Sequence, residues 1–421
     1  MLRAAASVSA LLLALLFASV TIWVHVHSQD LARPDDGDLV DPLPTEYMAD
    51  GLSALLRAAS LSRAQGNDEE LLSRLKDGAS DREWTAARMR DYAEAFAELD
   101  RAISASSIVL PAPRASVDKL VVDDLIYLQS MPRLSALASR DSLERGARTS
   151  ALQQAALGLR AGGALGRARR PELMSMLLAV GMQKTSLTAI EPLVQSVSWD
   201  RVSERSLARE LERERIPADR WRAAIYGEYA QIAGVVTMSA TREAEHVDPW
   251  PLRLLVSRGF FYQPNRTLSA YATRFRDMAT AFSEPCVSGA ALFHSPKRPA
   301  PREILQGNVI GQILVDVGFG DNLAKFNTRR CHVEARFALI ETYAALAAYE
   351  SENHATPDSL AALVPDYLAV EPVDPFDGQP LRWDRERREL FSVGSDFARS
   401  ETLGPLSPRD ELEPALYAPE P

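Results

Sequence analysis

The chain has 421 residues, 46% hydrophobic and 25% charged, an ordinary globular composition that excludes wholesale disorder. Its 57 acidic against 47 basic side chains leave a formal charge of −10, which argues against nucleic acid as a partner, because phosphate binding needs net or local positive charge. Two cysteines exclude a disulfide framework and any multi-cysteine metal site, and the length predicts two or more folded units.

Residues 4–24 (AAASVSALLLALLFASVTIWV) form an uncharged, mostly apolar run, about long enough for a helix to cross a bilayer. Arg3 and the α-amine precede it, and Asp30, Asp35, Asp36, Asp38 and Asp41 follow it. That asymmetry predicts a cytoplasmic N-terminus, a single pass through a bacterial inner membrane and a periplasmic bulk. The alternative is a signal peptide cleaved after Ser28, which leaves a secreted or periplasmic protein.

The expected fold class is mostly α: an N-terminal membrane helix, a helical bundle or array, and a small C-terminal α+β unit of a helix and an antiparallel hairpin. The expected divisions are 1–28 as anchor or signal, 29–44 as an extended Asp/Pro spacer, and 45–245 as a helical domain. An aromatic-rich region of helix and loop follows over 246–332, then the α+β unit over 333–400 and an unstructured Pro-rich tail over 401–421. Within the helical part, Ser80-Asp81-Arg82-Glu83 reads as a capping box. Trp84, Arg88, Tyr92, Phe96, Leu99 and Ile103 then make one helix face. Asp141 with Glu144 reads as a second helix start, and Gly162-Gly163 with Gly166 as a connection. Leu207, Leu211, Trp221, Ile225 and Ile232 continue the pattern across a break at Pro217. Thr267 is the expected N-cap of a helix with Leu268, Tyr271 and Phe275 on one face.

Near the C-terminus a helix is expected from Val333 to Tyr349. Thr356 and Pro357 should start a short helix as its N-cap and first residue. Asp374-Pro375-Phe376-Asp377-Gly378 is a turn by composition, and Pro380–Asp384 and Glu389–Val393 are strands of a hairpin.

The order of these phrases resembles the C-terminal half of the major pseudopilin of type II secretion systems, over roughly residues 335–397. The residues that carry the likeness are Pro357, Tyr367, Asp374, Pro375, Phe376, Asp377, Gly378, Ser392, Gly394 and Asp396. The whole chain is also similar to membrane-anchored, exported, helical bacterial proteins, including the Gln263-Pro264-Asn265 peptide before an aromatic helix. Pseudopilins begin with a prepilin-peptidase signal that runs straight into this domain, and here the apolar run lies far upstream. The family also holds calcium in a carboxylate-rich loop; here Asp396 is followed by Phe397-Ala398-Arg399-Ser400, with too few carboxylates for six to eight oxygen ligands, so no cofactor is expected.

Cys286 and Cys331 are the only thiols. Outside the cytoplasm they could pair and tie the Pro-rich loop to the start of the C-terminal helix; two separate buried thiols are the alternative. No His-Glu-x-x-His, Gly-x-Ser-x-Gly or Cys-pair metal pattern is present. The expected function is therefore a membrane-anchored periplasmic scaffold or protein-interaction protein, in one form accessory to a secretion or pilus-like envelope system, with an envelope protein as partner. The alternatives are an envelope hydrolase with a dispersed site drawn from Ser116, Glu228, His246 and Asp248, and a helical protein that binds a small ligand or lipid at the 250–282 aromatic cluster.

Overall fold

The computed structural model describes residues 2–27, 29–39, 50–66, 68–77, 81–110, 124–196, 201–242, 259, 262–283, 286, 307–318, 321–394 and 415–417. Helices dominate: α1 (Leu2–His27), α2 (Asp50–Gln65), α3 (Asp68–Asp77), α4 (Arg82–Asp91), α5 (Ala93–Ser104), α6 (Ser130–Glu144), α7 (Arg148–Ala155), α8 (Leu157–Gly166) and α9 (Leu173–Ser196). They continue with α10 (Arg201–Glu214), α11 (Ala218–Arg242), α12 (Pro264–Ser283), α13 (Val309–Gly318) and α14 (Asp321–Asn353). A small antiparallel sheet of β1 (Arg382–Asp384), β2 (Glu389–Phe391) and β3 (Ala415–Tyr417) ends the described chain. In β1 and β2, Trp383 faces Leu390 and Asp384 faces Glu389. The third strand comes from the tail expected to be unstructured, where Leu416 pairs with Leu390.

Helix α9 is the centre of the body. Its apolar face is broad, so several helices pack over it and leave one stripe, Met174, Lys184, Thr188 and Pro192, exposed. Helices α6, α7, α8, α11 and α14 all pack against it. Met176, Ala179, Met182, Leu187 and Ile190 are all at or below 1% exposure. By length and composition, residues 173–195 could cross a membrane, yet 61% of that stretch is buried within the body. Glu172 and Ser175 cap its start: the Glu172 N–H donates to Ser175 Oγ (3.0 Å), and that hydroxyl donates to the Glu172 carbonyl (2.7 Å).

Gly162, Gly163 and Gly166 lie inside α8 and do not form a connection. They are small because α8 touches its neighbours backbone to side chain. A Cβ at Gly162 would sit 2.6 Å from the Ala179 carbonyl, and one at Gly166 would sit 2.5 Å from Ile216 Cδ1. Other expected starts also move. Asp81 caps α4, accepting from the Trp84 N–H at 3.1 Å; Ser80 lies outside the described residues. The expected single helix through Trp84 and Ile103 is two, broken at a fully buried Tyr92 with φ −90° and ψ 3°. Asp141 and Glu144 close α6 and do not open a helix, because Gly146 takes φ +74° and turns the chain.

One apolar cluster runs from Leu39 through α9 to Leu390, so the units expected over 45–245, 246–332 and 333–400 share a core. Helix α14 is 33 residues long and passes through position 333 without a break. Trp221, Phe282 and Phe326 meet at centroid separations of 5.5–6.0 Å and join α11, α12 and α14. The Arg330 guanidinium lies over the Trp221 and Phe282 rings and donates to the Phe282 carbonyl at 3.3 Å. Cys286 and Cys331 form a disulfide with a Cα separation of 6.0 Å.

Gly162→Ala should destabilise the protein by about 1–3 kcal/mol, because the new methyl meets backbone that cannot rotate away. A urea unfolding midpoint checks this, and an unchanged midpoint would show that α8 and α9 can separate without loss.

Candidate functional site

Two regions concentrate buried polar contacts: the junction of α1 with the body, and the seat of the C-terminal segment. Helix α1 spans 26 residues, about 39 Å at 1.5 Å per residue. Most of its described apolar side chains are exposed, Phe17 at 76% and Ile22 at 63%, while Trp23 and Val24 are half-buried.

Residues 29–39 are not an extended spacer. Asp36 and Leu39 are buried, and the Leu39 N–H donates to the Asp36 carbonyl at 2.9 Å. The strap ends up against α12 because α12 opens with unsatisfied backbone donors. Pro264 at its first position lacks an N–H, and the next two, Asn265 and Arg266, donate to the Asp30 carboxylate at 2.9 and 3.0 Å. Asp30 thus caps a helix 235 residues away in sequence. The Asn265 amide donates back to the Leu31 carbonyl at 2.9 Å. The fully buried Gln263 donates through Nε2 to the His27 carbonyl at the end of α1. Asn308 holds this corner from below, accepting from the Gln263 N–H at 2.7 Å and from Thr267 Oγ1 at 3.1 Å. Thr267, the expected N-cap, is instead a buried first-turn residue.

Further along the strap, Arg276 makes a forked pair with Asp38, and its Nη2 donates to the Asp35 carbonyl. The hydrogen bond from Arg276 holds the Asp38 carboxyl below the usual carboxylate range. Tyr229 OH donates to Asp36 Oδ2 at 2.8 Å, and burial, then Asp36, pushes that phenol up.

In the C-terminal segment Asp374 is fully buried. Its carboxylate accepts from the Phe376 N–H (3.0 Å), Ser392 Oγ (3.0 Å) and the Val393 N–H (2.8 Å), with Arg382 Nη1 at 3.6 Å. Asp377 pairs with Arg382 and accepts from the Gln379 N–H at 3.0 Å. Gly378 and Gly394 both take positive φ, +69° and +70°. The expected turn Asp374–Gly378 is therefore a tie from one end of the hairpin to the other. Phe376 packs with the disulfide and Ala335, and Pro375 lies within the tie. The Asp374 and Asp377 oxygens are thus engaged by N–H groups, the Ser392 hydroxyl and a guanidinium. Asp396 lies outside the described residues. Among the described residues no group of three or more His, Cys, Asp or Glu is placed to hold a metal.

The helix expected at Thr356 and Pro357 is a single 3-10 turn, Leu360–Leu363, because both residues are engaged elsewhere. Thr356 Oγ1 accepts from Arg388 at 2.8 Å, and the Pro357 carbonyl accepts from Trp383 Nε1 at 3.2 Å. Tyr367 OH donates to Glu352 at 2.8 Å and accepts from Asn353 at 3.1 Å.

Arginines on α10 and just after it fasten this segment to the body. Arg201 pairs with Glu352 at 2.9 Å and lies 4.7 Å over the Tyr367 ring. Arg205 donates to the Asp366 carbonyl at 3.2 Å, and Arg215 reaches Glu334 and Glu341 at 3.3 and 2.8 Å. Between them sits Glu204, fully buried, with neither carboxylate oxygen hydrogen-bonded among the described residues. Burial raises its carboxyl to about 7; Arg205 and Arg201 oppose the shift, and Glu341 and Glu352 add to it.

Of the candidates for chemistry, Glu228 alone falls within the described residues. Ser116, His246 and Asp248 lie outside the described residues. Glu228 sits near Glu172 at the start of α9. Burial raises Glu228, while a hydrogen bond from the Leu173 N–H opposes that shift, so it serves as a helix cap. Burial, then the Glu228 charge, raises Glu172 to about 6. Of the aromatic cluster, Tyr262, Tyr271, Phe275 and Phe282 are buried core; Phe260 and Phe261 lie outside the described residues. Sequence reading missed Asp30, Asn308, Arg276 and Glu204. Pro264 was the available signal that α12 begins there, since proline favours the first helical position.

Asp30→Ala should free the two α12 donors at a cost of about 1 kcal/mol. Limited proteolysis of the full chain in micelles should then cut residues 29–39 roughly fivefold faster, and an unchanged rate would mean that the cap does not hold the strap. Glu204 has a raised folded-state pKa, so its stabilising contribution is full below about 4.5 and is lost as pH rises through about 7. Glu204→Gln should therefore flatten the fall in unfolding midpoint between pH 5 and pH 8, and identical slopes for variant and parent would refute the assignment. No family model, no curated protein and no solved structure matches this chain.

Proposed function

We propose that the chain is a membrane-anchored periplasmic scaffold that meets an envelope protein, accessory to a secretion or pilus-like system. Residues 4–24 hold it in the cytoplasmic membrane with the amine inside, and the folded body works on the far side.

The observation that carries this reading is the capture of the α1 terminus by the body. Gln263 holds the His27 carbonyl, on the anchor side of the alternative cleavage point, while Asp30 and Asn265 lock the next residues to α12. A segment destined for removal gains nothing from such a junction. An anchor that must present the body in one orientation does. The exposed apolar surface of α1 is consistent with lipid around it, because monomeric soluble proteins rarely leave such a surface in water. The ordered phrases over 335–397 supply the link to secretion or pilus-like assemblies, and the −10 charge disfavours nucleic acid.

In-cell crosslinking of the tagged full chain in native membranes, followed by mass spectrometry, tests both parts. The expected result is an intact N-terminal peptide and a reproducible envelope protein crosslinked to the body. A chain that begins at Gln29 would overturn the anchor, and recovery of the chain alone would overturn the scaffold.

A further inference from the structure

A cavity of about 430 Å³ opens between α3, α6 and α9. Its walls are apolar, with Leu75, Leu143 and Leu193 contributed by the three helices in turn. Its charged lining is of one sign: Lys76, Arg140 and Lys184. This is unusual in a chain with an excess of ten acidic groups and five lysines in all, two of which meet here. Among the described residues no carboxylate lines the cavity, and Arg140 Nη1 is buried with no hydrogen-bond partner. A buried guanidinium N–H left without an acceptor is costly, so an acceptor brought by a ligand would be strongly held.

The hydroxyls around the cavity are already engaged. Ser139 Oγ donates to the Ala151 carbonyl at 2.8 Å, Thr185 Oγ1 to the Gly181 carbonyl at 3.1 Å, and Thr188 Oγ1 accepts from Arg336 at 3.2 Å. Glu191 lies nearby on α9, but it is paired with Arg336. Burial, then the charges of Arg336 and Arg329, pulls the Lys184 ammonium below its ordinary range, as a site of net positive potential requires. Lys184 also lines a second apolar cavity of about 500 Å³, beside Met174 and Leu177. The volume falls within the range of small-ligand sites, roughly 300–1,000 Å³, and is small for a folded partner.

We propose that the α3–α6–α9 cavity binds a single-chain anionic amphiphile, with its carboxylate or phosphate on Arg140, Lys184 and Lys76 and its alkyl chain along Leu75, Leu143 and Leu193. The apolar walls reject a bare anion, and the one-signed lining rejects a neutral chain. The site is separate from the anchor junction and does not rest on the scaffold reading.

The test uses the full chain in phosphatidylcholine nanodiscs and three photoreactive diazirine probes: a sixteen-carbon fatty acid, its lysophosphatidate counterpart and the matching alcohol. Tryptic mapping should place adducts of the two anionic probes on α6 and α9 peptides and few of the alcohol. Whichever anionic probe saturates labelling at lower concentration identifies the headgroup. Arg140→Gln with Lys184→Gln should lower cavity labelling roughly tenfold or more, the equivalent of one charge-assisted hydrogen bond lost. Leu193→Trp, which fills the cavity and keeps the charges, should also block it, and so secures the result if the double variant folds poorly. Equal labelling by the alcohol, labelling unchanged in both variants, or no labelling of the parent chain at α6 and α9 would overturn the proposal.

Discussion

The burial of α9 is the constraint on which the rest of the body depends. A helix with a broad apolar face needs neighbours over most of its surface, and α9 leaves only a stripe through Met174, Lys184, Thr188 and Pro192 exposed. Each large side chain that it buries contributes about 1.5–3 kcal/mol relative to exposure, which makes this burial the dominant local term. The consequences can be followed outward. Gly162 lets α8 approach the Ala179 carbonyl. Ser175 Oγ accepts from the Glu172 N–H and Glu228 from the Leu173 N–H, so backbone donors at the start of α9 find partners. The same helix forms one wall of the cationic cavity, so the core and the candidate ligand site share an element.

A second theme is capping over long distance. Isolated helices find their caps within a few residues, but α12 takes a carboxylate from Asp30, on the strap after α1. A local cap would shape one loop. This one joins the chain's first helix to the body and fixes the direction in which that helix leaves. The buried Asn308 and Gln263 reinforce the corner, and Arg276 and Tyr229 extend it along the strap. The C-terminal segment is seated by a similar principle: Asp374 gathers donors from both ends of the hairpin, and the α10 arginines reach across to it.

Charge in this protein is arranged to be consumed. Most arginines that face the body pair with a carboxylate or lie over a ring, as Arg201, Arg215 and Arg330 do. Glu204 and Arg140 depart from that rule in opposite senses among the described residues, an acid without donors and a guanidinium nitrogen, Nη1, without an acceptor. Such departures point either to stored destabilisation or to a binding role. For Glu204, sealed between α10 and α14, the first applies. For Arg140, at the edge of an open cavity, the second does.

Much of the secondary structure was legible in the residues alone. Periodicity is local, so the faces of α10, α11 and α12, the break at Pro217 and the hairpin at 382–391 followed from short windows of sequence. The apolar run that becomes α1 was equally plain. Boundaries were read less well, because Asp141 and Gly162 carry residue types that signal ends in isolation and are overruled here by Gly146 and by close packing. What the sequence could not disclose was partnership. Nothing near Asp30 says that it caps a helix more than two hundred residues away, and nothing near Lys76 says that it shares a cavity with Arg140 and Lys184. Those pairings depend on the order in which helices surround α9, and only the tertiary structure decides that order, because it is set by the summed burial of all the faces at once.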